Sequence, residues 1–287
     1  MGIVVIVLFI LIFMFLLTNS RPAFEAFGRG FVFGREWIPS EEVFSVLAFA
    51  FGTIVSSLLA LMFALPISVG SAIFLTELCP SFLRRPLRFL IEMLAAIPSV
   101  VYGLWGIFVL APFVRATIQP GLAAAFPYFG LFEGPPYGVG LFTAGLILAI
   151  MIIPTITSIS TEVFDSIPNL YREGAKALGA TEWETIKTAV LGPGMSGVVA
   201  ASILGLGRAV GETMAVTMVI GNRADISPSL FSPSATMASV IANEYAEANS
   251  DLHISSLLGV GLCLLILSVA INSISRIIIW RVRRKTI

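Results

Sequence analysis

Val198-Val-Ala-Ala-Ser-Ile-Leu-Gly-Leu-Gly-Arg208-Ala-Val-Gly-Glu212-Thr-Met-Ala-Val-Thr-Met-Val-Ile220 is an unbroken apolar run that carries two full charges. It is long enough to cross a hydrocarbon core of about 30 Å, which takes roughly 20 helical residues. A charge at the centre of such a span costs about 2.5–3.5 kcal/mol on insertion scales, so it normally faces a pathway or a partner. Arg208 and Glu212 are too far from either end to snorkel, and their spacing predicts that both lie on one helical face. The run therefore reads as a membrane-spanning helix with a face suited to anions. The alternative is a buried ion pair that fixes helix packing and touches no solute.

Five more apolar runs lie outward from this one, near 2–18, 46–75, 89–114, 139–160 and 254–280. Over all 287 residues, 57% are hydrophobic and 12% charged, about half the charged share of a soluble domain. Mean hydropathy is +0.97. Continuous runs specify helices rather than a barrel, whose strands would alternate and be about half as long. The expected fold class is an all-α integral membrane protein, a six-helix bundle forming a single domain over 1–287. The net charge is zero and by itself says nothing about partners; no nucleic acid is expected among them.

Arg84, Arg85 and Arg88 share one short connection, Arg172, Lys176 and Lys187 another, and Arg281, Arg283, Arg284 and Lys285 close the chain. Six alternating helices put all of these on one side, which the positive-inside rule makes cytoplasmic together with both termini. The opposite connections carry Arg21, Arg29, Arg35, Arg115 and Arg223 among aromatics and acids. The first run lacks a basic flank and a small-residue cleavage pattern, so it is expected to remain as an anchor. Cys79 and Cys263 give no disulfide signal, and the lone His253, beside Asp251, gives no metal-site signal.

No internal repeat is visible, which leaves function to loops and broken helices. Trp37 in the loop at 19–45 suits an interfacial belt. The loop at 115–138 holds Pro120, Pro127, Pro135 and Pro136 with Tyr128 and Tyr137. Pro66, Pro98, Pro112 and Pro154 interrupt the runs, each removing a backbone hydrogen bond. In Ala95-Ala-Ile-Pro-Ser99, a freed carbonyl beside the Ser99 hydroxyl is suited to line a cavity. Gly207 and Gly211 form a small-xxx-small pattern that admits a neighbouring helix. No strand precedes these glycines, which excludes a dinucleotide site.

The polar segment 161–193 is punctuated as two short helices. Asn169 is the expected N-cap of the first and Gly179 its stop. Thr181-Glu-Trp-Glu184 reads as a capping box opening the second, which Gly192-Pro193 is expected to end. Leu170, Tyr171, Ala175 and Leu178 give the first helix an apolar face, with Arg172, Glu173 and Lys176 polar. Such a face fits a groove of another protein or the membrane surface.

Glu173-Gly-Ala175, then Gly179, then Leu191-Gly-Pro193 resemble the "EAA" motif of permease subunits of bacterial ATP-binding-cassette importers. The chain departs from it at Gly174, where alanine is usual, and at Gly192, which displaces the proline to 193. Leu94-Ala-Ala-Ile-Pro-Ser-Val-Val-Tyr-Gly-Leu-Trp-Gly106 and Gly205 to Asn222 are similar to the C-type permeases of phosphate-specific (Pst) importers, with Met214-Ala-Val-Thr217 separating them from the sister permease. The resemblance spans Trp37 to Arg284. It implies a type I importer permease fold in a bacterial or archaeal plasma membrane. It also implies a heterodimer with a sister permease, two ATP-binding subunits, an extracytoplasmic phosphate-binding protein, and inorganic phosphate as the solute.

In that family the motif docks on the ATPase, which assigns coupling to Glu173, Gly174, Ala175 and Gly179. The chain has no Gly-x-x-x-x-Gly-Lys-Ser/Thr loop, so the resemblance leaves ATP and magnesium to the partner subunit and no cofactor or catalysis to this one. Arg208, with Glu212, Thr213 and Ser99, is the expected substrate pathway. A guanidinium matches a tetrahedral oxyanion, and a carboxylate one helical turn away would compete for it and ease release. Alternatives of other specificity are a sulfate, molybdate or phosphonate permease and an ion-coupled carrier.

Overall fold

The structure, a computed structural model, describes residues 2–126 and 130–285, with side chains described up to residue 277. Pro127 and Tyr128, and the side chains of Trp280, Arg281, Arg283, Arg284 and Lys285, lie outside the described residues. In chain order the helices are α1 Gly2–Asn19, α2 Arg21–Phe27, α3 Arg29–Phe33, α4 Leu47–Leu78, α5 Ser81–Ala95, α6 Ser99–Ala125, α7 Leu141–Asp165, α8 Asn169–Ala177, α9 Glu182–Gly211, α10 Met214–Val219, α11 Met237–Glu244 and α12 Asp251–Lys285. Among the described residues, α1, α4, α6, α7, α9 and α12 are the six long and apolar enough to cross a membrane. The only β pairing described is two isolated bridges, Ile38 with Val43 and Gly221 with Ser234.

Two of the expected spans are redrawn. The run at 89–114 is split: α5 ends at Ala95 and α6 starts at Ser99. Pro98 lacks an N–H and pushes Ile97 away from the helical region. The Arg84 to Arg88 connection is thus part of a helix, α5, and that helix buries no residue. The fifth span begins earlier and ends earlier than 198–220. Gly192-Pro193 does not end a helix, because residues 186–191 widen into π turns and Gly192 N–H reaches back to Lys187 O. That wider turn carries the helix past the N–H that Pro193 lacks. At the other end α9 stops at Gly211, residues 212 and 213 are not helical, and α10 restarts at Met214.

The chain forms two compact units. The first, Met1–Ser57, Ser99–Ile147 and Val210–Val269, has a core around Phe31, Phe44, Phe49, Met237, Leu257 and Val260. Trp37, expected at a membrane interface, belongs to this core and is 8% exposed. It stands edge-on to Phe44 and Phe49 at 4.8 and 5.0 Å, and its indole N–H donates to Glu244 Oε2 at 2.8 Å. His253 Nε2 lies 2.9 Å from the same oxygen. In this unit α6 and α10 pack closely because Gly103 has no side chain: a Cβ there would lie 2.6 Å from Met218 Sδ and 3.1 Å from Ala215 Cα.

The second unit, Leu58–Pro98, Leu148–Ala209 and Ala270–Ile287, is cored by Phe164, Ile167, Ile186, Val190 and Val198 with Ala72 and Ile73. Here α9 lies against α7 along a stripe free of side chains. A Cβ on Gly197 would fall 2.5 Å from Val163, and one on Gly205 2.8 Å from Ile156. Ser68 Oγ of α4 donates to Ile153 O of α7 at 3.2 Å, just before Pro154.

Candidate functional site

Arg208 sits in the last turn of α9, half-buried. Its Nη1 donates to Thr155 Oγ1 of α7 at 3.2 Å. Glu212 lies one residue beyond the helix end, so the regular four-residue helical spacing expected of the two charges does not hold. Its Oε1 instead accepts from Ala215 N at 3.3 Å. That contact caps the start of α10, where a carboxylate also meets the positive end of the helix dipole. Thr213, half-buried, is the residue before α10, and its carbonyl accepts the Thr217 hydroxyl at 2.8 Å. Ser99, half-buried, opens α6 directly after the break at Pro98. Three pathway candidates, Ser99, Glu212 and Thr213, thus fall in the first unit and Arg208 in the second. A Cβ added at Gly207 or Gly211 would meet nothing within 4 Å, so that face of α9 and its end is open.

Thr155 was not visible as a site residue in the sequence. The only signal beside it was Pro154, and a hydroxyl in an apolar run reads equally well as a self-satisfied threonine.

The second group of candidates is on α8 and the elbow after it. Glu173, Gly174 and Gly179 are exposed and Ala175 is half-buried. Gly179 has φ +86°, the left-handed conformation expected of a helix stop. Its N–H bonds Lys176 O at 3.0 Å, and Ala180 N–H bonds Ala175 O at 3.1 Å. The capping box is present: Glu184 N–H donates to Thr181 Oγ1, and Thr181 N–H to Glu184 Oε2. Asn169 is not the N-cap, however. It is the first helical residue, behind Pro168, and its side chain accepts from Arg172 at 3.4 Å.

The apolar face of α8 is turned outward, with Leu170, Tyr171 and Leu178 exposed, the last by 92%. The basic residue Arg172 is turned inward instead, to Glu77 of α4 at 2.7 Å. This inversion leaves a greasy face that no described residue covers. Nearby, a cavity of about 70 Å³ is lined by Arg88, Glu92, Thr157, Ser158, Thr161 and Glu162. Arg88 is paired with Asp165, so acids surround its charge and the cavity offers little to an anion.

Comparison with known proteins gives the helices a lineage. Residues 64–284 match the family described as "Binding-protein-dependent transport system inner membrane component". The chain belongs to that family. It is therefore a multi-pass membrane protein. It is 49% identical over 274 residues to the "Phosphate transport system permease protein PstC" of Pasteurella multocida, covering 94% of this chain and 85% of that one. It is 46% identical over 275 residues to the protein of the same name from Mesorhizobium japonicum, covering 94% and 84%. Among solved structures, an inward-facing form of the MetNI methionine ABC transporter superposes with a TM-score of 0.63 at 17% identity, covering 83% of this chain and 95% of that one. The all-helical, six-span fold is thus that of the type I importer permeases.

Proposed function

We propose that the chain is a membrane-spanning permease subunit of an ATP-driven importer of inorganic phosphate, working beside a sister permease, an ATP-binding subunit present twice and an extracytoplasmic phosphate-binding protein. What carries the reading is the identity of 46–49% over nearly the whole chain to two proteins named for phosphate transport. Fold likeness to a methionine transporter at 17% identity says nothing of the solute. In this reading both termini and the basic connections face the cytoplasm of a bacterial or archaeal cell, as the positive-inside rule argues. ATP and magnesium belong to the partner, and no catalysis to this chain. The exposed face of α8, with Glu173, Gly174, Ala175 and the Gly179 elbow, docks on the ATPase.

Arg208 is the phosphate contact. It is always charged and its donors form a planar fork suited to an oxyanion. Thr155 takes one N–H and leaves others for a ligand. Among the described residues the guanidinium's partner is this one neutral hydroxyl, which orients the group without cancelling its charge. Ser99, Glu212 and Thr213 supply further polar groups to the pathway. Glu212, its carboxylate on the α10 start, keeps a negative charge close in sequence to the arginine and makes firm retention of phosphate unfavourable.

The test is labelled-phosphate uptake into vesicles carrying the complete transporter, with excess sulfate as competitor, for the native chain and for Arg208→Lys and Arg208→Ala. Expected is ATP-dependent uptake that resists sulfate and is strongly reduced in both variants while the complex still assembles. Native uptake in Arg208→Ala would remove Arg208 from the pathway. Uptake blocked by sulfate would reassign the solute.

A further inference from the structure

Arg172, near the start of α8, has every guanidinium N–H engaged. Nε lies 3.1 Å from both carboxylate oxygens of Glu77. Nη2 donates to Glu77 Oε1 at 2.7 Å and to Phe164 O at 3.0 Å. Nη1 donates to Ile167 O at 2.8 Å and to Asn169 Oδ1 at 3.4 Å. An arginine has five N–H groups, and here each has an acceptor. The two side chains of the ion pair are 17% and 13% exposed.

The acceptors belong to different helices. Glu77 is in the π turn that ends α4. Phe164 O, which also accepts from Ile167 N–H at 3.3 Å, and Ile167 O are carbonyls at and just past the end of α7, where the helix's own bonding runs out. A lysine at 172 has no planar fork with which to serve all three at once. The first unit plays no part in this contact.

The rest of α8 is held lightly. It buries no residue, its large apolar side chains point outward, and its other ion pair, Lys176 with Glu182, is 50% and 76% exposed and open to solvent screening. Its elbow is a single glycine. A displacement imposed on the outer face of α8 has the short link 166–168 to reach α7, and Arg172 with Glu77 to reach α4.

We propose that the Arg172–Glu77 pair is the strut that makes α4 move with α8, so that it sets how much solute is carried for each ATP hydrolysed. The proposal rests on the reading of α8 as the ATPase-docking helix. Arg172 and Glu77 are positioning residues, since neither touches solute or nucleotide. If the pair served only to stabilise the fold, cutting it would lower transport and hydrolysis together. As a strut, its loss lets α8 follow the ATPase without dragging α4, and transport falls more than hydrolysis does.

The experiment measures phosphate uptake and ATP hydrolysis in the same vesicles of complete transporter for Glu77→Gln, Glu77→Asp and Arg172→Lys. Expected is a severalfold fall in phosphate carried per ATP for Glu77→Gln and Arg172→Lys, with Glu77→Asp, which keeps the charge, recovering most of the native ratio. An unchanged ratio in Glu77→Gln overturns the proposal, and so does failure of all three variants to assemble, which would make the pair a folding element. A photocrosslinker at position 173 separates the two levels. Crosslinking to the ATPase with an unchanged ratio refutes the strut alone, whereas no crosslinking to the ATPase refutes the docking reading on which it stands.

Discussion

Substitution of Gly179 isolates backbone conformation from packing. The residue has φ +86°, and a Cβ built on it meets nothing within 4 Å. A side chain there has room, so the whole penalty comes from holding an L residue in the left-handed region. For alanine that is about 1–2 kcal/mol, and a β-branched residue falls at the upper end of the 1–3 kcal/mol typical of such strain, or about that. Asparagine visits this region more readily than other non-glycine residues. The elbow between α8 and the capping box at Thr181 is local, so this cost acts directly on the population of the correctly bent segment. A loss of 1–2 kcal/mol is roughly a 5–30-fold shift. The assay is ATP hydrolysis by the assembled transporter with and without its binding protein. Stimulation should decline in the order glycine, asparagine, alanine, valine, with valine nearly unresponsive. If Gly179→Val responds as Gly179→Asn does, either the elbow is not held at positive φ or its bend does not matter to coupling, and the reasoning fails.

Thr155→Val removes the hydroxyl that orients Arg208. A hydrogen bond to a charged group is worth about 1.5–3 kcal/mol, and labelled-phosphate uptake should fall by about tenfold or more, a loss that Thr155→Ser largely restores. Trp37→Phe keeps an aromatic ring edge-on to Phe44 and Phe49 but loses the bond to Glu244, of the same charged class. The melting temperature of the purified complex should fall, by about 2–4 °C for each kcal/mol lost, and an unchanged value would show the indole bond to be idle. Gly103→Val drives a side chain into Met218 and Ala215, an overpacking worth about 1–3 kcal/mol. Adding Met218→Ala should recover part of the lost melting temperature and no more, because Ala215 Cα is backbone and cannot give way; complete recovery would count against that.

The six spans were legible because hydropathy reports a quantity that the bilayer itself demands, and four of the six expected runs overlap their helices almost throughout. What misled was punctuation. Pro98 and Pro193 look alike in sequence, but the first breaks the helix and the second is absorbed by a π turn, an accommodation that depends on Ile186, Ala189 and Val190 finding burial on the same side. Arg208 and Glu212 were recognised as charges out of place, yet the end of α9 between them follows from Gly211 and from the cap that Glu212 makes, which apolar periodicity does not register. Residue type alone points Trp37 to an interface. Its place in the core comes from the rings of Phe44 and Phe49 and from Glu244, 207 residues away, and no local signal announces that last partner.

Arginines on the second unit show why residue type alone does not find a pathway. Arg88 is compensated by Asp165 with Glu92 and Glu162 around the same cavity. Arg172 is compensated by Glu77 and saturated by helix-end carbonyls. Arg208 differs in kind, because its described partner is the Thr155 hydroxyl, a neutral group that directs the guanidinium and leaves its charge whole. A buried or half-buried charge without a counterion costs several kcal/mol in a low-dielectric setting, and proteins relieve that cost by supplying one. An arginine held by a hydroxyl in the last turn of a helix, with open space at Gly207 and Gly211 beside it, has room for a counterion that comes and goes. A permanent carboxylate partner would remove the cost and the binding site together, so exchanging Thr155 for aspartate should stabilise the chain to heat while abolishing uptake. Retained uptake in Thr155→Asp would show that the charge of Arg208 is not what the solute meets.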